Sequence, residues 1–219
     1  MHKTVKNLED INNEIRLKVK ENIFPTIIAV TKTFKIEDII PLIKHGHLHF
    51  GENKVQEANE KWSNMKVEYP NTKLHLIGGL QTNKVKLAVK IFDYIHSVDN
   101  EKLARKISEE QKKQSKKIKI FIQVNLGEEK QKSGILKKNL KQFYEYCKKL
   151  DLDILGLMCI PPQNEDPKTF FKQLYLLNEN LGLKDLSMGM SSDYLIAVEC
   201  SSSYLRIGSK IFGERKIKL

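Results

Sequence analysis

Short runs rich in β-branched and aromatic residues alternate along this chain with longer stretches whose apolar residues recur every three or four positions. That alternation leaves few folds open, because strands that each return through a helix pair in parallel within one sheet. Eight runs read as strands: 26–32 (TIIAVTK), 47–53 (HLHFGEN), 73–79 (KLHLIGG), 94–99 (YIHSVD), 118–126 (IKIFIQVNL), 152–160 (LDILGLMCI), 185–190 (DLSMGM) and 204–212 (YLRIGSKIF). Seven amphipathic stretches lie between them, from IEDIIPLIKHG to SSDYLIAVECSS, and an additional helix over about 4–20 precedes the first strand. Eight strands with seven intervening helices is the count of an α/β chain folded as a (β/α)8 TIM barrel. Such a barrel usually takes about 250 residues and can be built from about 200. A chain of 219 residues therefore holds one barrel over 1–219, with short connections. The runner-up, an open doubly wound sheet, calls for a Gly-rich turn after its first strand, and no GxGxxG follows TIIAVTK.

Composition narrows the setting. No apolar run approaches the ~20 residues of a membrane helix, and the opening MHKTVKNLEDINNEI is too charged for a secretory signal, so a cytoplasmic protein with no membrane partner is expected. Three cysteines, Cys147, Cys159 and Cys200, have no close spacing and read as packing residues, not as a disulfide framework or zinc site. The net charge is +11, but only four of the 38 basic residues are arginines, and the lysines are interspersed with glutamates in stretches such as KISEEQKKQSKK. That pattern describes a lysine-rich exterior more than a nucleic-acid reader, which leans on Arg and aromatic platforms.

In a barrel the carboxyl ends of the strands build the active face. The first strand ends in Lys32, an unusual residue to close an apolar strand. Desolvation there lowers an amine's pKa and yields the neutral nucleophile that condenses with an aldehyde. Strands seven and eight are where barrels bind phosphate. Strand seven runs into Ser191-Ser192-Asp193, and strand eight carries Gly208-Ser209, so hydroxyls and closely approaching backbone N–H groups can form a phosphate cup. Taken singly, Ser191 is equally a helix N-cap, and Gly189 and Gly208 are tight-turn glycines.

The runs AVTK, FGENKVQE, HLIGGLQTNK, KSG, GLMCIP, SMGMSSD and RIGSKIFG, in this order over nearly the whole chain, resemble the pyridoxal phosphate homeostasis proteins. Their barrel is similar to the N-terminal domain of alanine racemase. The resemblance implies that Lys32 carries pyridoxal 5′-phosphate (PLP) as a covalent aldimine, that Asn53 lies beside the cofactor, that Ser191 with the backbone around Gly208 and Ser209 holds the phosphate, and that Arg206 meets the pyridine nitrogen. Departures are modest: Gly79 stands where Pro is more usual, Ser209 replaces the commoner Thr, and Lys210 follows where a small residue is usual. Ser209 keeps the hydroxyl, and alternation along a strand would turn Lys210 away from the cup. Glu52 and Gln56 read as helix-start polar groups, and Asn83 and Lys84 as the start of a helix. His45, His47, His49, His75 and His96 lack metal-ligand spacing and read as core or surface residues. Met188 and Met190 read as packing.

An arginine against the pyridine nitrogen makes PLP a weak electron sink, since it donates to the unprotonated ring and opposes protonation; aminotransferase chemistry is disfavoured. Alanine racemase also uses a tyrosine base from a separate C-terminal domain, whereas this sequence ends at Leu219, six residues beyond Gly213. The resemblance thus implies a binding protein, not an enzyme, that holds PLP reversibly in vitamin B6 and amino-acid homeostasis, with PLP-dependent apo-enzymes as recipients and a monomer as the default. The alternatives are a single-domain PLP racemase using water or Lys84 as base, and a PLP-free phosphosugar enzyme.

Overall fold

The computed structural model of the chain describes residues 1–19, 24–129 and 131–214. Nine strands are present among them: β1 (Thr26–Val30), β2 (His49–Glu52), β3 (Lys73–Leu76), β4 (Tyr94–Val98), β5 (Lys119–Asn125), β6 (Ile135–Leu136), β7 (Asp153–Met158), β8 (Asp185–Met190) and β9 (Tyr204–Ile207). Their order is β4-β3-β2-β1-β9-β8-β7-β5-β6, and an additional β4–β5 pairing closes the sheet. Every pair is parallel. The result is the eight-stranded barrel expected from the alternation, with the two-residue β6 paired to the carboxyl end of β5 at Val124 and Asn125.

The helices are α1 (Lys3–Arg16), α2 (Ile36–Lys44), α3 (Val55–Glu68), α4 (Val85–Ile91), α5 (Glu101–Gln114), α6 (Leu140–Lys149), α7 (Pro167–Asn180), α8 (Tyr194–Glu199) and α9 (Ser209–Phe212). Local chemistry sets several ends. The Asn100 side chain accepts from Leu103 N at 2.9 Å to start α5, and Ser115 ends it in the left-handed region at φ 48. Asp166 caps α7, with Pro167 at the first helical position. The opening helix is shorter than expected: it stops at Arg16, and position 20 lies outside the described residues. Placed beside α2 and α8, α1 takes the eighth position in the helical ring.

Two expected boundaries differ. The stretch from Ile135 starts with β6 and a 3-10 turn before α6 begins at Leu140. The last strand was expected over 204–212, but it ends at Ile207 and the chain turns helical as α9. Lys210 accordingly lies on a helical turn: its Nζ sits 3.2 Å from Tyr194 Oη and 3.4 Å from Glu14 Oε2 on α1, while Tyr194 Oη donates to the same carboxylate. It leaves the cup because of that helical turn, not because of strand alternation.

Between sheet and helices lies a continuous apolar core, and inside the barrel a smaller cluster of Tyr94, Phe121 and Met158 with Leu155 and Tyr204 packed on it. All three cysteines are buried free thiols, and burial pushes Cys147 and Cys159 up to about 12, as packing residues require. Among the described residues no helix is long and apolar enough to cross a membrane, and no cluster of His, Cys, Asp or Glu is arranged to hold a metal ion.

Candidate functional site

Side chains alternate across a strand, so positions two apart share a face. The positions that continue the barrel's inward rows past the strand ends are Lys32 after Val30, Asn53 after Gly51, Ile77 after His75, Ile160 after Met158 and Gly208 after Arg206. These residues line one cavity of about 360 Å³ at the carboxyl mouth, together with Phe34, Met190, Ser191, Ser192, Ser209 and Gly213. Every residue expected in the site is therefore gathered at one mouth: Lys32, Asn53, Ser191, Arg206, Gly208 and Ser209. A larger cavity of about 820 Å³ lies outside the barrel, among Leu17, Lys168, Lys172, Tyr175 and Ser201, away from these groups.

The turn that carries Lys32 is held from below. Thr31 N donates to Gly51 O at 2.9 Å and its hydroxyl to Glu52 Oε1 at 2.7 Å; Phe34 N closes the turn onto Thr31 O at 3.1 Å. Thr33 adopts φ 69 and donates its N–H to Glu57 Oε1 at 2.7 Å. Glu52 is fully buried, and its Oε1 also receives Lys61 Nζ at 2.9 Å and Trp62 Nε1 at 3.0 Å. This corrects the reading of Glu52 as a helix-start group: it ends β2 and ties β1 to α3. A buried carboxylate persists only when paired; three donors converge on Oε1, while Oε2 is buried with no hydrogen-bond partner among the described residues. No sequence signal beyond its place in FGEN pointed to that role. Asn83 and Lys84 form the 3-10 turn Thr82–Lys84 and do not line the cavity.

The opposite wall is formed by the two turns expected to make a cup. Gly189 at φ +92 turns the chain at the end of β8, where a Cβ would come within 2.6 Å of the Ala197 Cβ. Ser191 is not the cap of α8, a position held by Asp193; its Oγ accepts the Gly208 N–H at 3.2 Å and joins the two arms of the cup. Asp193 folds back so that its Oδ1 accepts from Met190 N at 2.5 Å, and burial raises its pKa. Phe34 stacks on Phe212 with ring centroids 4.7 Å apart, linking the Lys32 turn to α9 beside the cup.

At the floor, Arg206 is 4% exposed. It donates through one terminal nitrogen to Ser187 Oγ at 2.7 Å and through the other to Cys159 O at 2.9 Å, and it makes no salt bridge among the described residues. Burial works against its charge. A buried guanidinium without an ion pair is costly, and an anionic ligand in the cavity would offset that cost.

The histidines form a line across the barrel interior. His49 Nδ1 is 2.9 Å from His75 Nε2, His75 Nδ1 is 2.9 Å from His96 Nε2, and His96 Nδ1 is 2.8 Å from Ser187 Oγ. They are core residues, as read, but bonded to one another. The signal for this was present in the sequence, since each occupies an inward position of a neighbouring strand. Burial lowers the pKa of all three, and that of His47 to about 4. The unfolded chain, with histidines near 6.5, therefore takes up protons that the fully buried His75 and His96 refuse in the folded chain, so stability is full above about pH 6.5 and falls as pH drops below it, by up to ~1.4 kcal/mol per pH unit for each of these two. Thermal melts should show Tm declining between pH 7 and 5; a flat profile would contradict the buried neutral line.

A family model described as "Alanine racemase, N-terminal domain" matches residues 6–216. The chain is 33% identical to the pyridoxal phosphate homeostasis protein of Vibrio alginolyticus over 226 residues, covering 95% of this chain and 96% of that one. It is 38% identical to the protein of the same name from Vibrio cholerae over 200 residues, covering 86% and 85%. Among solved structures it is similar to PipY of Synechococcus elongatus with PLP bound, at a TM-score of 0.85 and 31% identity, over 96% of this chain and all of that one.

Proposed function

The chain belongs to the pyridoxal phosphate homeostasis proteins, within the family of the alanine racemase N-terminal domain, and from that premise we propose that residues 1–219 form one domain that holds PLP at the carboxyl mouth through a Schiff base on Lys32. The observation that carries this reading is the convergence, in one cavity, of a strand-end amine, a hydroxyl-lined turn and a buried cation that has no ion pair among the described residues. These groups fit the cofactor: its phosphate suits Ser191, Ser209 and the backbone at Gly208, and its anionic character offsets Arg206. Val30, Ile77, Ile160 and Met190 supply apolar walls for a flat ring, and Asn53 a polar edge.

When bound, PLP supplies a reactive aldehyde on an electron-poor ring. Lys32 would hold that aldehyde through its amine, on a turn pinned through Thr31 to Glu52. Arg206, which only donates, would face the ring nitrogen as a hydrogen-bond donor, and a donor there would disfavour ring protonation and leave the ring a poor carbanion sink. Among the described residues the ionisable side chains lining the cavity are Lys32 and Arg206, and Lys84 is not at its wall. That supports storage and delivery of PLP to PLP-dependent apo-enzymes, in vitamin B6 and amino-acid homeostasis, over turnover of an amino acid.

Purified protein mixed with PLP should gain visible absorption, become irreversibly labelled on borohydride reduction, and yield one modified peptide containing Lys32. A chain that stays colourless and unlabelled would refute the assignment. With L-alanine in deuterated water, Cα exchange at enzymatic rates would replace the carrier reading by a racemase.

A further inference from the structure

The histidine line starts at His49, the first residue of β2 at the amino-terminal mouth, and ends at Arg206 beneath the candidate site at the other. His75, His96 and Ser187 are fully buried, so of the three histidines and the serine it is His49 that is in partial contact with solvent. We propose that Ser187, His96 and His75 are positioning residues for Arg206, joined in a hydrogen-bond line of one direction, and that protonation of His49 at the far mouth loosens Arg206 at the PLP site; the second half of this inference rests on the function proposed above.

The direction follows from counting hydrogens. A guanidinium has only N–H groups, so Ser187 Oγ accepts from Arg206 at 2.7 Å. The serine has one hydrogen, and the acceptor beside it is His96 Nδ1 at 2.8 Å. A neutral His96 then carries its proton on Nε2 and donates to His75 Nδ1; His75 in turn donates from Nε2 to His49 Nδ1. All three imidazoles are Nε2–H tautomers. Each turns its lone pair toward Arg206 and its N–H away, so the ring dipoles favour the buried cation, which has no ion pair among the described residues. The opposite direction would aim an imidazole N–H at a serine that already accepts from a guanidinium, and would leave the serine hydrogen without this acceptor.

His49 is where this arrangement meets proton supply. A proton added there goes to Nδ1, the atom that accepts from His75, and two hydrogens then face each other across 2.9 Å. Relief requires the line to reverse, which sets an N–H of His96 against Ser187 beside the guanidinium. The surroundings of His49 are mixed: Lys73 and Lys119 oppose its protonation and Asp93 favours it, and its ring lies 6.2 Å from Tyr94. His47 also faces it, through a bond from its Nε2 to His49 O. Tyr94 stacks on His75 at 4.1 Å, Tyr204 lies 6.0 Å from His75 and 6.1 Å from His96, and Lys66 acts on His75 from α3. At the other end Arg206 opposes a charge on His96, while Asp193 favours the charge on Arg206, and Cys159, pushed up to about 12, would do so only when ionised. Burial, the largest influence on His49, His75 and His96, keeps the line neutral at pH 7.

The experiment uses nitrogen-detected NMR of imidazole tautomers on the full chain without cofactor, which reads the line whether or not PLP binds. Neutral Nε2–H signals for His49, His75 and His96 at pH 7.5 are expected; an Nδ1–H tautomer or an imidazolium at His75 or His96 would overturn the direction. With PLP bound, the absorption of the Lys32 adduct should change below pH 6.5 while far-UV circular dichroism is unchanged. His49→Gln, which offers His75 an amide oxygen but cannot be protonated, should flatten that response; the wild-type midpoint in this variant would overturn the coupling. Ser187→Ala should weaken PLP by about tenfold or more, the scale of a lost bond to a charged group, and wild-type affinity in it would remove Ser187 from the positioning of Arg206. Failure of wild-type PLP binding with the Nε2–H signals intact would refute the proposed function and the coupling, and leave the direction of the line standing.

Discussion

Lys32→Ala is expected to abolish borohydride labelling and visible absorption, and to weaken PLP by roughly a hundredfold or more, about 2.7 kcal/mol. Covalent capture contributes only where the amine is. The position is set by Thr31, whose hydroxyl and N–H are fixed to Glu52 and Gly51 on β2, and by Phe34, which stacks on Phe212. The remaining cup of Ser191, Gly208 and Ser209 is untouched by the substitution, so weak phosphate-driven binding should persist and be competed by inorganic phosphate. Equilibrium dialysis against PLP, with and without reduction, separates the two contributions. A reducible adduct at full occupancy in the variant would assign attachment to another of the chain's lysines.

Gly156→Ala is expected to destabilise the barrel by at least ~3 kcal/mol, or about 6–12 °C in Tm for a chain of this size. Gly156 lies in β7 opposite Asp185 of β8, and a Cβ built on it would stand 1.6 Å from Asp185 O and 2.5 Å from Asp185 C. Both are backbone atoms of the adjoining strand, so no rotamer change relieves the overlap; the strands must part. β7 also bears the register shift against β5 between Ile120 and Phe121, and β8 leads directly into the Ser191 turn. The variant should therefore lose PLP affinity as well as stability. Gly79→Ala is the matched control, because nothing lies within 4 Å of a Cβ there, and it should change stability by less than about 0.5 kcal/mol. Equal melting temperatures for the two variants would show that the β7–β8 spacing is adaptable.

The barrel was legible because each of its strands announces itself locally, as TIIAV or KIFIQVN, between stretches of helical period. Lys32, Ser191, Gly208 and Ser209 were legible because strand-end positions can be read once the strands are placed. Arg206 and Asn53 came through resemblance alone, and the structure brings both to the same mouth. The end of the last strand was misplaced because RIGSKIF reads as an apolar alternation, while its conformation is decided by contacts far away in the chain, with Lys210 held toward Glu14 and Tyr194. Glu52 was undervalued for a similar reason: the groups that pair with it, Thr31, Lys61 and Trp62, come from two other segments.

Residue order alone determined the alternation of elements, their number and the mouth of the barrel where the candidate site lies, since hydrophobic period and strand termination are properties of neighbouring residues. Only the closed sheet decided that three histidines and a serine from four strands touch end to end, that Arg206 is buried with no salt bridge among the described residues, and that α1 occupies the eighth place in the ring. Closure imposes one register on all the strands at once, and which inward side chains meet across the interior is set by that register, which no single segment encodes.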